Sequence, residues 1–197
     1  MGRSELPVHP LIGERYSPRA FTDRDISGEE LELMLEAARL APSSLNEQPW
    51  RFLVVRKGRE GHAEMLAAMN ASNRIWADKA PVLMLTLTRP KLVRNEIENP
   101  HAWHDLGLAV MQLTLQATAI GIGVHQLGGF DPQKARELFN IPPEFDLVTM
   151  LVLGFPGDPE QLQEKLRERE LRRSVRRPLD EMVHYGRFHH LKQKSAQ

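Results

Sequence analysis

None of the 197 residues is a cysteine. That absence excludes a disulfide framework, a thiolate zinc site, an iron–sulfur cluster and a cysteine nucleophile. Long apolar runs are lacking as well. The longest, Ala80 to Leu87, is interrupted by Pro81, and a bilayer-spanning helix needs about 20 apolar residues. The opening stretch MGRSELPVHPLIGERYS has no apolar segment of the signal-peptide kind. The expectation is a soluble, cytoplasmic protein with no membrane partner. There is no excess of either charge, with 26 Lys and Arg against 26 Asp and Glu. Whole-chain electrostatics therefore recruit neither nucleic acid nor an anionic surface. Nucleotide and hydrolase signatures are missing too. Gly121-Ile122-Gly123 follows a helical pattern and precedes a strand, the reverse of a Rossmann fingerprint. No Gly-x-Ser-x-Gly elbow or phosphate-binding P-loop occurs.

What is present suits one domain with its own core. Hydrophobic residues make up 41% and charged residues 26%, as in an ordinary globular chain. Ser27 and Glu30 form a capping box ahead of Leu31, Met34, Leu35 and Ala38, predicting a helix that stops before Pro42. Strands are predicted at Phe52–Val55, Val82–Thr88, Val124–Leu127 and Val148–Gly154, and helices over 60–69, 102–120, from Pro132 to Phe139 and over 159–171. The helix over 102–120 is apolar round most of its circumference, so it belongs in a core or a subunit interface. The class is α+β, with too few strands for regular βα alternation. The core spans about 10–171. The arm over 172–197 has few core residues and needs a surface to dock on.

Three segments can carry chemistry. Arg15, Ser17 and Arg19 alternate, so an extended chain puts two guanidiniums and a hydroxyl on one side. Such a side binds phosphate or another anion, or is simply a solvated strand. Pro42-Ser43-Ser44-Leu45-Asn46-Glu47-Gln48-Pro49 sets hydroxyls and amides between prolines. It suits a polyol or a heterocycle edge, or is an ordinary helix-to-strand connection. Gly128-Gly129 after a strand lets a flat ligand approach backbone N–H groups, or is a tight turn. Two other features are weighed against a ligand role. His101-x-x-His104-Asp105 has metal-like spacing but lacks a third histidine, so no metal is expected. The basic run Arg172-Arg173-Ser174-Val175-Arg176-Arg177 reads as a solvated arm rather than a nucleic-acid patch.

In this order the segments resemble the nitroreductase family of FMN-dependent oxidoreductases. The matching motifs are Arg-x-Ser-x-Arg-x-Phe at 15–21, Ala-Pro-Ser-Ser-x-Asn-x-Gln-Pro-Trp-Arg-Phe at 41–52, Gly-Gly-Phe-Asp-Pro at 128–132, and the tail from Arg177 to Phe188. The likeness covers residues 10–190. It implies a mixed sheet flanked by helices and a C-terminal arm reaching over the partner of a homodimer. Two FMN molecules would lie at the interface, with NAD(P)H as donor. It further implies that Arg15 and Ser17 lie at the FMN phosphate, with Arg187 of the arm as a further contact, and that Tyr16 is a cofactor-binding residue. Arg19 would stand beside N1 and O2 of the ring, where its charge favours the reduced flavin. Pro42, Ser43, Ser44 and Asn46 would reach FMN from the other subunit. The main chain of Gly128 and Gly129 would bond N5 and O4, and Asn73 the pyrimidine edge. The implied reaction is a ping-pong hydride transfer from NAD(P)H through flavin N5 to a nitro compound or quinone. The same scaffold also suits reductive dehalogenation or dehydrogenation, with Trp76, Trp103 or His101 lining the pocket, or non-enzymatic FMN binding.

Overall fold

In a computed structural model, residues 6–172 and 175–188 are described. Arg173 and Ser174 of the basic run, and residues 189–197 of the arm, lie outside them. The chain forms α1 (Pro10–Glu14), α2 (Gly28–Arg39), β1 (Trp50–Arg56), α3 (His62–Ala68), α4 (Ala71–Ala77), β2 (Val82–Thr88), α5 (Ala102–Ala119), β3 (Gly123–Leu127), α6 (Pro132–Leu138), β4 (Asp146–Gly154) and α7 (Glu164–Leu171). The strands make one sheet in the order β1-β2-β4-β3. All three pairings are antiparallel, so the described residues supply no parallel partner of the kind a mixed sheet contains.

Sequence dictates the layers. In β2, Val82 and Met84 point to one face and Leu83, Leu85 and Leu87 to the other, the alternation of a pleated strand. Every β2 residue is buried, because helices cover both faces and the strand is central. That is why it reads as a continuous apolar run. One face packs against Met34 and Ala38 of α2 and Leu106, Ala109 and Leu113 of α5. The other packs against Met65 of α3, Trp76 of α4 and Ala135 of α6. Buried hydroxyls are satisfied: Thr86 Oγ1 donates to Thr149 O (2.9 Å) and Thr88 Oγ1 to Ala102 O (3.0 Å).

The capping box forms as expected, with Glu30 N–H donating to Ser27 Oγ and Ser27 N–H to the Glu30 carboxylate. α5 buries one face and leaves Trp103 and Met111 exposed. Two expected helices are shorter. Gly61, at φ 81°, starts α3 only at His62. The helix expected over 159–171 is broken: Pro159–Gln161 form one 3-10 turn, Leu162 is extended, and α7 follows. Gln161 Nε2 donates to Phe21 O (3.0 Å), which ties that turn to the body. α1 and α4 were not legible in the apolar pattern.

Candidate functional site

The segment bearing Arg15, Ser17 and Arg19 leaves α1, which begins at Pro10 behind a His9 cap. It crosses β3, an edge strand. There is room because β3 starts with Gly123, where a Cβ would collide with the Pro18 ring. His125 of β3 holds the segment down. Its Nδ1–H donates to Pro18 O (2.9 Å), and its ring lies 4.5 Å from that of Trp76. Burial, reinforced by the charges of Arg19 and Arg169, pushes the His125 pKa down to about 4 against the pull of the Pro18 and Ser17 backbone. The imidazole is therefore neutral at pH 7.

Arg19 is held from the far end of the chain. Its N–H donates to Glu170 Oε2 of α7 (3.0 Å), and its Nη1 lies 3.5 Å from the same oxygen. Its guanidinium sits 6.0 Å from the Trp76 ring. Burial first, then Arg169, lowers the Arg19 pKa, while Glu170 raises it. Tyr16 is half-buried. Among the described residues no hydrogen bond or ion pair engages the Arg15 guanidinium or the Ser17 hydroxyl, so both are available to an anion.

α4 joins this segment to the glycine pair. Asn73 sits one turn before Trp76. Its Nδ2 donates to Gly129 O (3.2 Å), and Asn70 N–H donates to the same carbonyl (2.9 Å). A Cβ on Gly129 would meet Asn73 Nδ2 at 2.5 Å, whereas one on Gly128 would meet nothing within 4 Å. The space over Gly128 is thus open and the space over Gly129 is filled by an amide. Trp76 is only 2% exposed and packs between Phe21, Arg19 and His125. It is core, which corrects the expectation that it lines a pocket. Trp103 is exposed and donates Nε1–H to Asp146 (2.9 Å), beside a cleft of about 400 Å³ that also includes Arg136 and Leu147.

The loop after α2 is strained. Leu45, Asn46 and Gln48 have φ of 54°, 57° and 48°, a conformation that side chains other than glycine adopt at a cost. Four bonds enforce it. Ser43 Oγ accepts from Gln48 N–H (3.0 Å), Gln48 Nε2 donates to Asn46 O (2.9 Å), Glu47 accepts from Val93 N–H (3.1 Å), and Asp105 Oδ2 accepts from Ser44 N–H (2.9 Å). Asp105 is 2% exposed, and its other oxygen meets His104 Nδ1 at 3.0 Å. Both carboxylate oxygens are thereby engaged inside the protein. Asp105, His125 and Glu170 are the supporting residues; local spacing missed His125 and Glu170 and offered Asp105 only as part of a metal-like cluster. Of the three, only Asp105 had a sequence signal, as an acidic residue in the first turn of α5.

The loop does not reach the glycine pair within one chain. It leads into β1, and β1 and β3 are opposite edges of the sheet. Among the described residues no hydrogen bond joins Pro42, Ser43, Ser44 or Asn46 to residues 15–19 or 128–129. Arg187 lies on the arm, exposed, with Val175, Tyr185 and Phe188 also exposed there.

Comparison with known proteins fits this geometry. The model of the Nitroreductase family matches residues 12–155. A protein of Archaeoglobus fulgidus, provisionally named NADH dehydrogenase/NAD(P)H nitroreductase, is 34% identical over 159 residues, covering 78% of this chain and 88% of its own. The crystal structure of an oxidoreductase containing FMN superposes with a TM-score of 0.91 at 34% identity, over 95% of this chain and 96% of that one. A nitroreductase-like protein of Desulfovibrio desulfuricans, solved in complex with FMN, has a TM-score of 0.72 at 29% identity, over 94% and 99% of the two chains. The chain belongs to the nitroreductase family.

Proposed function

We propose that this chain is an FMN-dependent oxidoreductase that takes hydride from NAD(P)H and passes it, in a ping-pong cycle, to a flat aromatic acceptor of the nitro or quinone type. One observation carries the reading. α4 brings a cationic, hydroxyl-bearing segment and an amide-lined glycine turn to one place, with open space over Gly128. That donor set matches the parts of FMN. Arg15 and Ser17, whose guanidinium and hydroxyl have no hydrogen bond or ion pair among the described residues, suit its phosphate. Gly128, Gly129 and Asn73 suit the polar edge of its ring. Tyr16, between Arg15 and Ser17, is a further cofactor-binding position.

Bound FMN supplies reversible hydride transfer at N5. The chain supplies binding, orientation and charge. Glycine at 128 keeps the main chain approachable, and the Asn73–Gly129 bond fixes that turn. Arg19 would be the cation beside the ring. Its charge favours the reduced state, an electrostatic contribution set in place before reaction. No side chain is required as a proton donor to the flavin.

The site is completed by a second copy. Pro42, Ser43, Ser44 and Asn46 stand at the opposite sheet edge, on a loop whose strain is maintained by Asp105. A homodimer lets that loop meet the glycine turn of its partner. It also gives the exposed apolar arm, with Arg187, a surface to cover. A reduced nicotinamide donor suits a reaction in the cytoplasm. Among the described residues no helix is long and apolar enough to cross a membrane.

The test is steady-state oxidation of NADH and NADPH by FMN-loaded protein, with menadione or a nitroaromatic as acceptor. Parallel double-reciprocal lines and dependence on FMN are expected. FMN binding without turnover would leave a non-enzymatic flavin carrier and overturn the enzymatic reading.

A further inference from the structure

Arg19 is not a free cation. Glu170 Oε2 accepts both its main-chain N–H and its guanidinium. The two side chains are 17% and 5% exposed, respectively. Most ion pairs among the described residues lie further out in solvent, where such pairs have little effect. Here water is largely excluded, so each charge is felt more strongly by its neighbours. The remaining groups around Arg19 do not replace Glu170. Arg169 is a like charge that opposes the cation, His125 is neutral, and Trp76 offers a ring face.

The source of the carboxylate is unusual. α7 is strongly charged, and none of its residues is fully buried. Yet it turns this one acidic side chain inward, onto a residue 151 positions earlier. Burying a carboxylate is costly unless a partner compensates, and solvent is close by. The contact has the form of an anchor at a chosen place: one oxygen fixes both the backbone of residue 19 and the head of its side chain.

We propose that Glu170 is a positioning residue for Arg19, fixing where that guanidinium stands and offsetting part of its charge, and that it thereby lowers the reduction potential of the bound flavin. The proposal rests on the function proposed above, in which Arg19 lies beside the flavin ring. Reduction adds negative charge to the ring, and a cation beside it favours the reduced form. A carboxylate paired with that cation subtracts from its field. Without the carboxylate charge, reduced FMN is held more tightly relative to oxidised FMN.

The experiment compares FMN-loaded wild type, Glu170→Gln, Arg19→Gln and the double variant. Glutamine keeps a side-chain oxygen for the Arg19 N–H, so the fold is retained. Glu170→Asp, which keeps the charge but withdraws it, is a second probe. Glu168→Gln is the control for charge removal elsewhere on α7. Two quantities are read: the midpoint potential of the bound flavin, and the FMN dissociation constants of the oxidised and reduced proteins.

Glu170→Gln is expected to favour reduced over oxidised FMN about tenfold, a rise of about 30 mV for a two-electron couple. Glu170→Asp should shift it the same way by less, and Glu168→Gln not at all. In the Arg19→Gln background the Glu170→Gln shift should largely vanish. An unchanged or lowered potential in Glu170→Gln overturns the proposal while the function stands. So does a full shift in the Arg19→Gln background, which would make Glu170 act on the flavin without Arg19. A wild-type protein that binds no FMN overturns the proposed function, and this inference with it.

Discussion

The Asp105 carboxylate, 2% exposed on α5, accepts the main-chain N–H of Ser44 at 2.9 Å. The contact joins a helix to a loop 61 residues earlier in the chain and is one of four bonds that hold that loop at positive φ. Asp105→Ala removes the charged acceptor of a part-buried N–H and is expected to destabilise the fold by about 1–3 kcal/mol. Asp105→Asn keeps an oxygen for Ser44 and should cost less. Denaturant unfolding of both variants checks the order. FMN affinity should fall with the loop in each.

Glycines 128 and 129 should respond differently to alanine. Gly129→Ala drives a methyl into Asn73 Nδ2. It should displace Asn73 and weaken FMN binding about tenfold or more, with a loss of stability of about 1–3 kcal/mol. Gly128→Ala meets nothing in the chain itself. It should leave stability intact and still weaken FMN, because in the proposed site the methyl would stand where the flavin approaches. Thermal melts with and without FMN separate the two effects.

Arg15 and Ser17 should discriminate by phosphate. Arg15→Ala removes a charged contact of about 1.5–3 kcal/mol, a loss of about tenfold to a hundredfold in FMN affinity. Riboflavin, which lacks the phosphate, should bind wild type and variant alike. Ser17→Ala should show the same pattern with a smaller loss. Fluorescence titration with both flavins reads the difference.

His125 makes stability depend on pH. Its folded pKa is about 4 against an ordinary value of 6.5. As pH falls through 6.5 the unfolded chain gains a proton that the folded chain does not accept until about pH 4. Stability is therefore full above 6.5 and declines across that window, by about 3 kcal/mol at most. His125→Gln should be less stable at pH 7.5, because the Pro18 bond is weakened. Its deficit relative to wild type should shrink by pH 4.5. Urea unfolding at the two pH values gives the comparison.

Local signals carried much of the fold. The Ser27–Glu30 capping box, the apolar run of β2 and the apolar helix α5 are consequences of neighbouring residues, and each formed close to its expected place. The glycine pair and the Asn-bearing stretch were legible as types, but their meeting was not. Asn73 reaches Gly129 across 56 positions. Trp76 looked like a pocket residue because an aromatic near polar residues has no local mark of burial, and the sheet and α4 decide its place. The partners of Arg19 and Pro18 come from α7 and β3, and no spacing rule links them. The break at Leu162 has the same origin, since Gln161 is held by Phe21 O from the N-terminal side.

In the proposed function the chain binds FMN and loads it with hydride from a reduced nicotinamide. The direct measurement is an anaerobic titration of the FMN-loaded protein with NADPH or NADH, followed by visible absorbance. The expected result is a yellow protein that bleaches with one equivalent of donor per flavin and regains its colour when menadione is added. A protein that FMN neither colours nor stabilises, or a bound flavin that neither donor bleaches, would contradict it.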